Sequence, residues 1–199
     1  MKKQTEIIMQ LTKRELILNL YFSQIIFIVI AFLLSYILLN DITSLIHMFN
    51  WEIRELFIYG FLPGLLIVII DLLLIKLLSE KHYDDGGINK RIFTSLSIPQ
   101  IFLLALVVSF SEELLFRGVL QTSFGFIIAS ILFALVHFRY LNKPVLLVSV
   151  LILSFLIGYL FLLTNNLLVT ITTHFTIDFL LGMYYRVYYS EVKPAWESR

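Results

Sequence analysis

Apolar residues in this chain fall into long blocks broken by short polar stretches. Four blocks approach the roughly 20 residues that a membrane-crossing helix needs. They run from Leu16 to Leu39, Leu56 to Leu78, Val145 to Leu163 and Leu167 to Tyr185. A fifth stretch, Ile92 to Phe138, is too long for one crossing and breaks at Thr122-Ser123-Phe124-Gly125, a group of turn formers. Splitting it there predicts an all-α polytopic membrane bundle of about six transmembrane helices. The first block reads as a retained anchor rather than a cleaved signal. Residues 1–15 form an N-terminal segment in which Ile7, Ile8, Leu11 and Glu15 stand at helical spacing. That segment suits either a short helix on the membrane surface or a solvated tail. Residues 16–189 form the transmembrane domain and residues 190–199 a tail. The loop His82-Tyr83-Asp84-Asp85-Gly86-Gly87 reads as a solvated turn.

The basic residues orient the bundle. With the N-terminus in the cytoplasm, thirteen of the fifteen Lys and Arg fall on that side; Arg54 lies opposite and Arg117 within a span. Six spans with both termini cytoplasmic therefore satisfy the positive-inside rule. Tyr184, Tyr185, Tyr188, Tyr189 and Trp196 suit an interfacial aromatic belt at the last exit. Composition agrees: hydrophobic residues make up 59% and charged residues 15%, against roughly 45–50% and 25% in soluble domains. The chain reads as a multi-pass protein of the cell membrane. A net charge of +1 offers no clustered basic face and argues against nucleic acid as a partner. With no cysteine, disulfides, thiol nucleophiles and thiolate metal sites are excluded.

Charges inside the spans need an explanation, because each costs roughly 2.5–3.5 kcal/mol at a helix centre on insertion scales. Here they are Asp71, Glu112, Glu113, Arg117, His137, His174 and Asp178. All but Asp71 belong to the later helices, which points to one polar site. Glu113 and Arg117 share a helix face at a spacing of four, as do His174 and Asp178. Glu112 is turned about 100° from Glu113 and has no partner on its own helix. Glu112 lies 12 residues before Phe124 and His137 13 after it, while His174 and Asp178 lie 9 and 13 after Asn165. At about 1.5 Å per residue, these four reach a common depth of roughly 14–20 Å from the helix ends.

Plainer readings exist for each part. Glu113–Arg117 fits a structural pair, His137 an interfacial histidine, and His174–Asp178 a satisfied buried pair. Asp71 fits packing or hydrogen bonding to another helix. Gly60-Phe61-Leu62-Pro63-Gly64 matches a helix-packing pattern that its internal proline weakens. None of these explains an unpaired Glu112 at the level of two histidines. A carboxylate and an imidazole on different helices can hold a water, take its proton and direct it at a carbonyl carbon, while a second imidazole donates to the oxyanion. For that, Glu112, His137 and His174 should line one cavity. Neither G-x-S-x-G nor H-E-x-x-H is present. Zinc on His137, His174 and a carboxylate is geometrically open, although no cofactor is expected.

Ser111-Glu112-Glu113-Leu-Leu-Phe-Arg117-Gly, then Phe133-Ala-Leu-Val-His137, then His174-Phe-Thr-Ile-Asp178 resemble, in order, three motifs of the CPBP intramembrane proteases. That family includes type II CAAX prenyl endopeptidases and bacteriocin-processing or immunity (Abi) proteins. The resemblance implies a glutamate-type protease acting on a membrane-associated peptide or protein. By it, Glu112 and His137 activate water, His174 serves the oxyanion site, and Glu113, Arg117 and Phe133 support the motifs. The family's last motif residue is commonly Asn, whose amide can donate; an ionised Asp178 cannot, so it either carries a proton or orients His174. Two other readings stand beside hydrolysis. One is non-catalytic self-immunity or peptide binding, and the other is proton-coupled transport, since Glu/His/Asp chains also relay protons.

Overall fold

The computed structural model describes residues 10–39, 43–141 and 143–190. Among the described residues all regular structure is helical. Five helices are long and apolar enough to cross a bilayer. They are α1 (Lys13–Leu38), α2 (Ile53–Leu77), α4 (Ile98–Phe124), α6 (Pro144–Thr164) and α7 (Leu167–Ser190). Between α2 and α4 runs a short amphipathic helix, α3 (Ile88–Ser95).

Where a sixth span was expected, the structure has an apolar helix shorter than the other five. Helix α5 (Phe126–Val136) has 11 residues, about 16 Å of rise against a hydrocarbon core of about 30 Å. Its limits are local. Gly125, at φ +86°, makes the turn out of α4 in a region open mainly to glycine. At the other end the backbone leaves helical geometry at His137 and enters a 3-10 turn, Phe138–Tyr140.

Helix α1 begins three residues before the expected Leu16. Thr12 and Glu15 cap it reciprocally, with Thr12 N–H donating to Glu15 Oε2 at 2.7 Å and Glu15 N–H to Thr12 Oγ1 at 3.3 Å. Residues 1–9 of the expected surface helix, and residues 191–199 of the tail, lie outside the described residues. Ser97 and Gln100 cap α4 in the same way, followed by Pro99 in the first turn.

Helix α7 is the centre of the bundle, packed against α2, α3, α4 and α6. It runs antiparallel to α4: Glu113 meets His174, Phe102 meets Phe175 and Phe179, and Phe93 meets Tyr185. The approach of α2 to α7 uses the Gly60/Gly64 pair. A Cβ on Gly60 would stand 3.0 Å from Thr172 Cβ, and one on Gly64 2.9 Å from the Thr173 carbonyl oxygen. Pro63 does not spoil this packing, because Leu56–Phe61 widens into a π-helical turn just before it. At the far end of α7, buried Asn166 exchanges hydrogen bonds with the Asn50 backbone and donates to Glu55 Oε2, tying the preceding loop down. One apolar cluster surrounds Phe116, Phe133, Phe161 and Leu167; a second gathers Leu16, Ile88, Ile92 and Ile101 near α3.

Candidate active site

The site begins where α4 changes register. Residues Leu114–Gln121 form a π-helical segment directly after Glu112 and Glu113. Such segments are rare, often functional, and invisible to periodicity read from sequence.

Arg117, inside that segment, is fully buried. Its Nε lies 3.2 Å from Glu113 Oε2, its Nη2 donates to the Ser154 carbonyl and hydroxyl at 3.2 Å each, and its guanidinium lies 4.9 Å from the Phe133 ring centre. Ser154 in turn donates to the Ser130 carbonyl, and Gln121 donates to the Gly158 carbonyl at 2.8 Å. A charge this deep needs a partner and several acceptors, and helices α4, α5 and α6 supply them. The expected structural pair is therefore part of a knot joining three helices.

Glu113 has a second engagement. Its Oε1 lies 2.9 Å from His174 Nδ1, so the imidazole N–H donates to the carboxylate. The other ring nitrogen of His174 faces Asp178 Oδ2 at 3.6 Å, one turn further along α7. His174 thus sits between two carboxylates, with Phe133 edge-on to its ring at 5.9 Å. His174 is buried, whereas about a third of the Asp178 side chain is exposed.

His137 occupies the end of α5. A helix leaves its last carbonyls without donors, and the imidazole Nδ1 reaches back to one of them, Phe133 O, at 2.9 Å. A carbonyl only accepts, so Nδ1 carries the hydrogen and the neutral ring keeps its lone pair on Nε2. The ring is flanked by Phe133 at 5.1 Å and Tyr140 at 5.8 Å. Phe133 therefore touches Arg117, His137 and His174.

Glu112 differs from Glu113 and Asp178 in making no ion contact among the described residues, whereas Glu113 reaches Arg117 and His174 and Asp178 reaches His174. Glu112 is 6% exposed, and among the described residues its Oε2 has no hydrogen-bond partner. It lies within electrostatic reach of His174, Asp178, Glu113, Arg117 and Arg139. His137 in turn lies within reach of His174 and Arg139. His174 and Arg139 are thus neighbours shared by the two groups expected to activate water. One cavity is lined by Ile28, Leu106, Val107 and Phe110 and another lies beside Tyr83, Asp85 and Tyr189. Neither touches Glu112, His137 or His174.

The residues present do not suit zinc. Among the described residues no three His, Asp or Glu side chains gather as ligands, and three of the four imidazole nitrogens already face carboxylates or a carbonyl. Asp71 is half-buried on α2, outside the cluster.

Sequence reasoning missed two contributors. Gln24, buried on α1, accepts from Ser111 Oγ at 2.6 Å, tying α1 to the residue before Glu112. A glutamine within an otherwise apolar span was the available signal. The second is the Arg139–Tyr140 pair, two and three residues after the motif histidine, bonded to each other at 2.7 Å.

Five lipid-length helices around a buried acid–imidazole cluster define a multi-pass membrane protein. Residues 94–180, which hold every group just described except Gln24 and Asp71, match the family described as type II CAAX prenyl endopeptidase Rce1-like. The chain belongs to that family. It is 47% identical over 130 residues to a Bacillus subtilis protein named uncharacterized protein YpbD, covering 64% of this chain and 69% of that one. It is also 30% identical over 146 residues to UPF0177 protein YxdF of Lactococcus lactis, covering 67% and 78%. No solved structure matches it.

Proposed function

We propose that the protein is an intramembrane endopeptidase that hydrolyses a peptide bond in a membrane-associated peptide or protein. The observation that carries this reading is Glu112, a buried carboxylate whose Oε2 has no hydrogen-bond partner and which makes no ion contact among the described residues, beside a glutamate held by Arg117 and His174. Burying an acid this way is costly, and water activation is a use that repays it.

In the reaction, Glu112 takes a proton from a water held against the free Nε2 of His137. The hydroxide oxygen bonds to the substrate carbonyl carbon, and the carbonyl oxygen becomes an oxyanion facing His174. Glu113 and Asp178 face the two ring nitrogens and hold His174 as the imidazolium, so Nδ1–H donates to Glu113 while Nε2–H serves the oxyanion. Asp178, 3.6 Å away, orients that ring and need not donate. As the C–N bond breaks, Glu112 returns its proton to the leaving amine, giving a carboxylic acid and an amine that exchange a proton to become carboxylate and ammonium. The positive-inside arrangement puts both termini in the cytoplasm, so the partly exposed His137 and Asp178 face that side.

The test compares membrane peptides from cells carrying native protein or Glu112→Gln. Peptides shortened only in the native cells are the expected result; identical profiles sink the reading. Binding without cleavage is the second reading, favoured by the two cavities lying away from the site. It gains if a peptide-dependent phenotype survives Glu112→Gln.

A further inference from the structure

The loop between α2 and α3, expected as a solvated turn, folds inward. The Asp85 side chain is 5% exposed. It accepts from the backbone amides of Ile88 and Asn89 at the start of α3, at 3.0 Å and 3.2–3.3 Å. Its other approach is to Arg139 Nη1, 3.8 Å from Asp85 Oδ2. Arg139 Nη2 donates to Asn89 Oδ1 at 3.3 Å and to the Tyr140 hydroxyl at 2.7 Å. The guanidinium lies 4.7 Å from the Tyr140 ring centre. Tyr140, buried, stacks on His137 with its plane 23° from that of the imidazole.

This chain of contacts begins on a loop before α3 and ends on an imidazole at the end of α5. Nothing in the hydrolytic scheme uses Asp85, Arg139 or Tyr140. Yet His137 sits where the helix has stopped and its backbone bonds have run out, so its ring depends on side-chain neighbours for orientation. Phe133 provides one flank from α5 itself. Tyr140 provides the other, and its hydroxyl is held by Arg139, which also bonds Asn89.

We propose that Asp85 is a positioning residue for His137, acting through Arg139 and Tyr140 to hold the imidazole with Nδ1 on Phe133 O and Nε2 free. The α2–α3 loop is then a brace for the reactive end of the site. Burial raises the Asp85 carboxyl above its ordinary value, while Arg139 and the amides of Asn89 and Ile88 pull it down. A pair under that desolvation load holds its geometry only while both partners are present. The role in turnover rests on the protease reading above; the orientation of His137 does not.

The experiment uses the full chain in lipid nanodiscs with 15N-labelled histidine, the His137 signals being assigned by their loss in His137→Gln. Native protein is expected to show His137 as a single Nδ1–H tautomer. Asp85→Asn keeps a side-chain oxygen for the α3 amides but removes the negative charge that faces Arg139. Tyr140→Leu removes the ring. In both, the His137 nitrogen shifts are expected to move toward the average of two tautomers, with helical content and melting temperature close to native. In any peptide cleavage abolished by Glu112→Gln, Asp85→Asn lowers kcat about tenfold with KM nearly unchanged. His137 signals that remain native in both variants overturn the proposal. Cleavage unaffected by Glu112→Gln overturns the protease reading instead, and leaves the spectra to decide the brace.

Discussion

Glu112 and Glu113 are neighbours in sequence, yet they belong to opposite ends of one site. The end around Glu113 is closed: a fully buried arginine is paired with Glu113 of its own helix, bonded to the Ser154 hydroxyl and carbonyl of a second and packed on the Phe133 ring of a third, and His174 is drawn in from a fourth. The end around Glu112 is open in a chemical sense, with a buried oxygen lacking a partner and with His137 and Asp178 partly exposed. The same residue type one position apart serves structure in one case and is spare for chemistry in the other. In a membrane core, where an idle acid is expensive, that contrast says more about function than the presence of acids does.

The contrast can be broken most forcefully at Arg117. Glu113→Gln leaves its guanidinium buried without a counter-charge, and is expected to cost about 3–5 kcal/mol of unfolding free energy. Denaturant titration of purified protein in mixed micelles would measure it, with Glu112→Gln within about 0.5 kcal/mol of native. Equal losses in the two variants would erase the distinction between the ends. A smaller effect is expected at the α2–α7 contact. Gly64→Ala forces a methyl to within 2.9 Å of the Thr173 carbonyl, one residue before His174. A loss of about 1–3 kcal/mol is expected from such overpacking, seen as a lower melting temperature. The smallest effect is expected at the open end itself. Asp178→Asn keeps a polar group one turn from His174, so peptide cleavage should stay within about tenfold of native. A far larger fall would show that the charge of Asp178, rather than its place, is used.

Much of this architecture was legible in the chain. Long apolar blocks report spans because a bilayer leaves few alternatives to a helix, and i,i+4 spacing correctly joined Glu113 to Arg117 and His174 to Asp178. Depth counting placed Glu112, His137, His174 and Asp178 at one level, and Glu112 lies within electrostatic reach of His174 and Asp178. What escaped it depends on tertiary packing. The π-helical stretch after Glu113 leaves no periodic trace, since its residues are as apolar as an α-helix in the same place would be. The shortness of α5 escaped because apolar residues continue to Phe138 while the backbone stops being helical at His137. Asp85 was misread for a related reason: Asp-Asp-Gly-Gly is ordinary turn chemistry, and only the fold reveals that an arginine lies above it. The Gly60/Gly64 pair was undervalued because the penalty of Pro63 was counted for an α-helix, while the preceding turn takes a wider register.

The brevity of α5 has a consequence for the surrounding lipid. Acyl chains beside a helix of about 16 Å cannot keep their full extension without leaving its ends, or the loops joined to them, in hydrocarbon. On that flank the bilayer must pinch, and headgroups and their water are drawn down toward the level of His137. The protein thereby carries a dimple in the membrane beside its reactive end, made by nothing more than a helix that stops early.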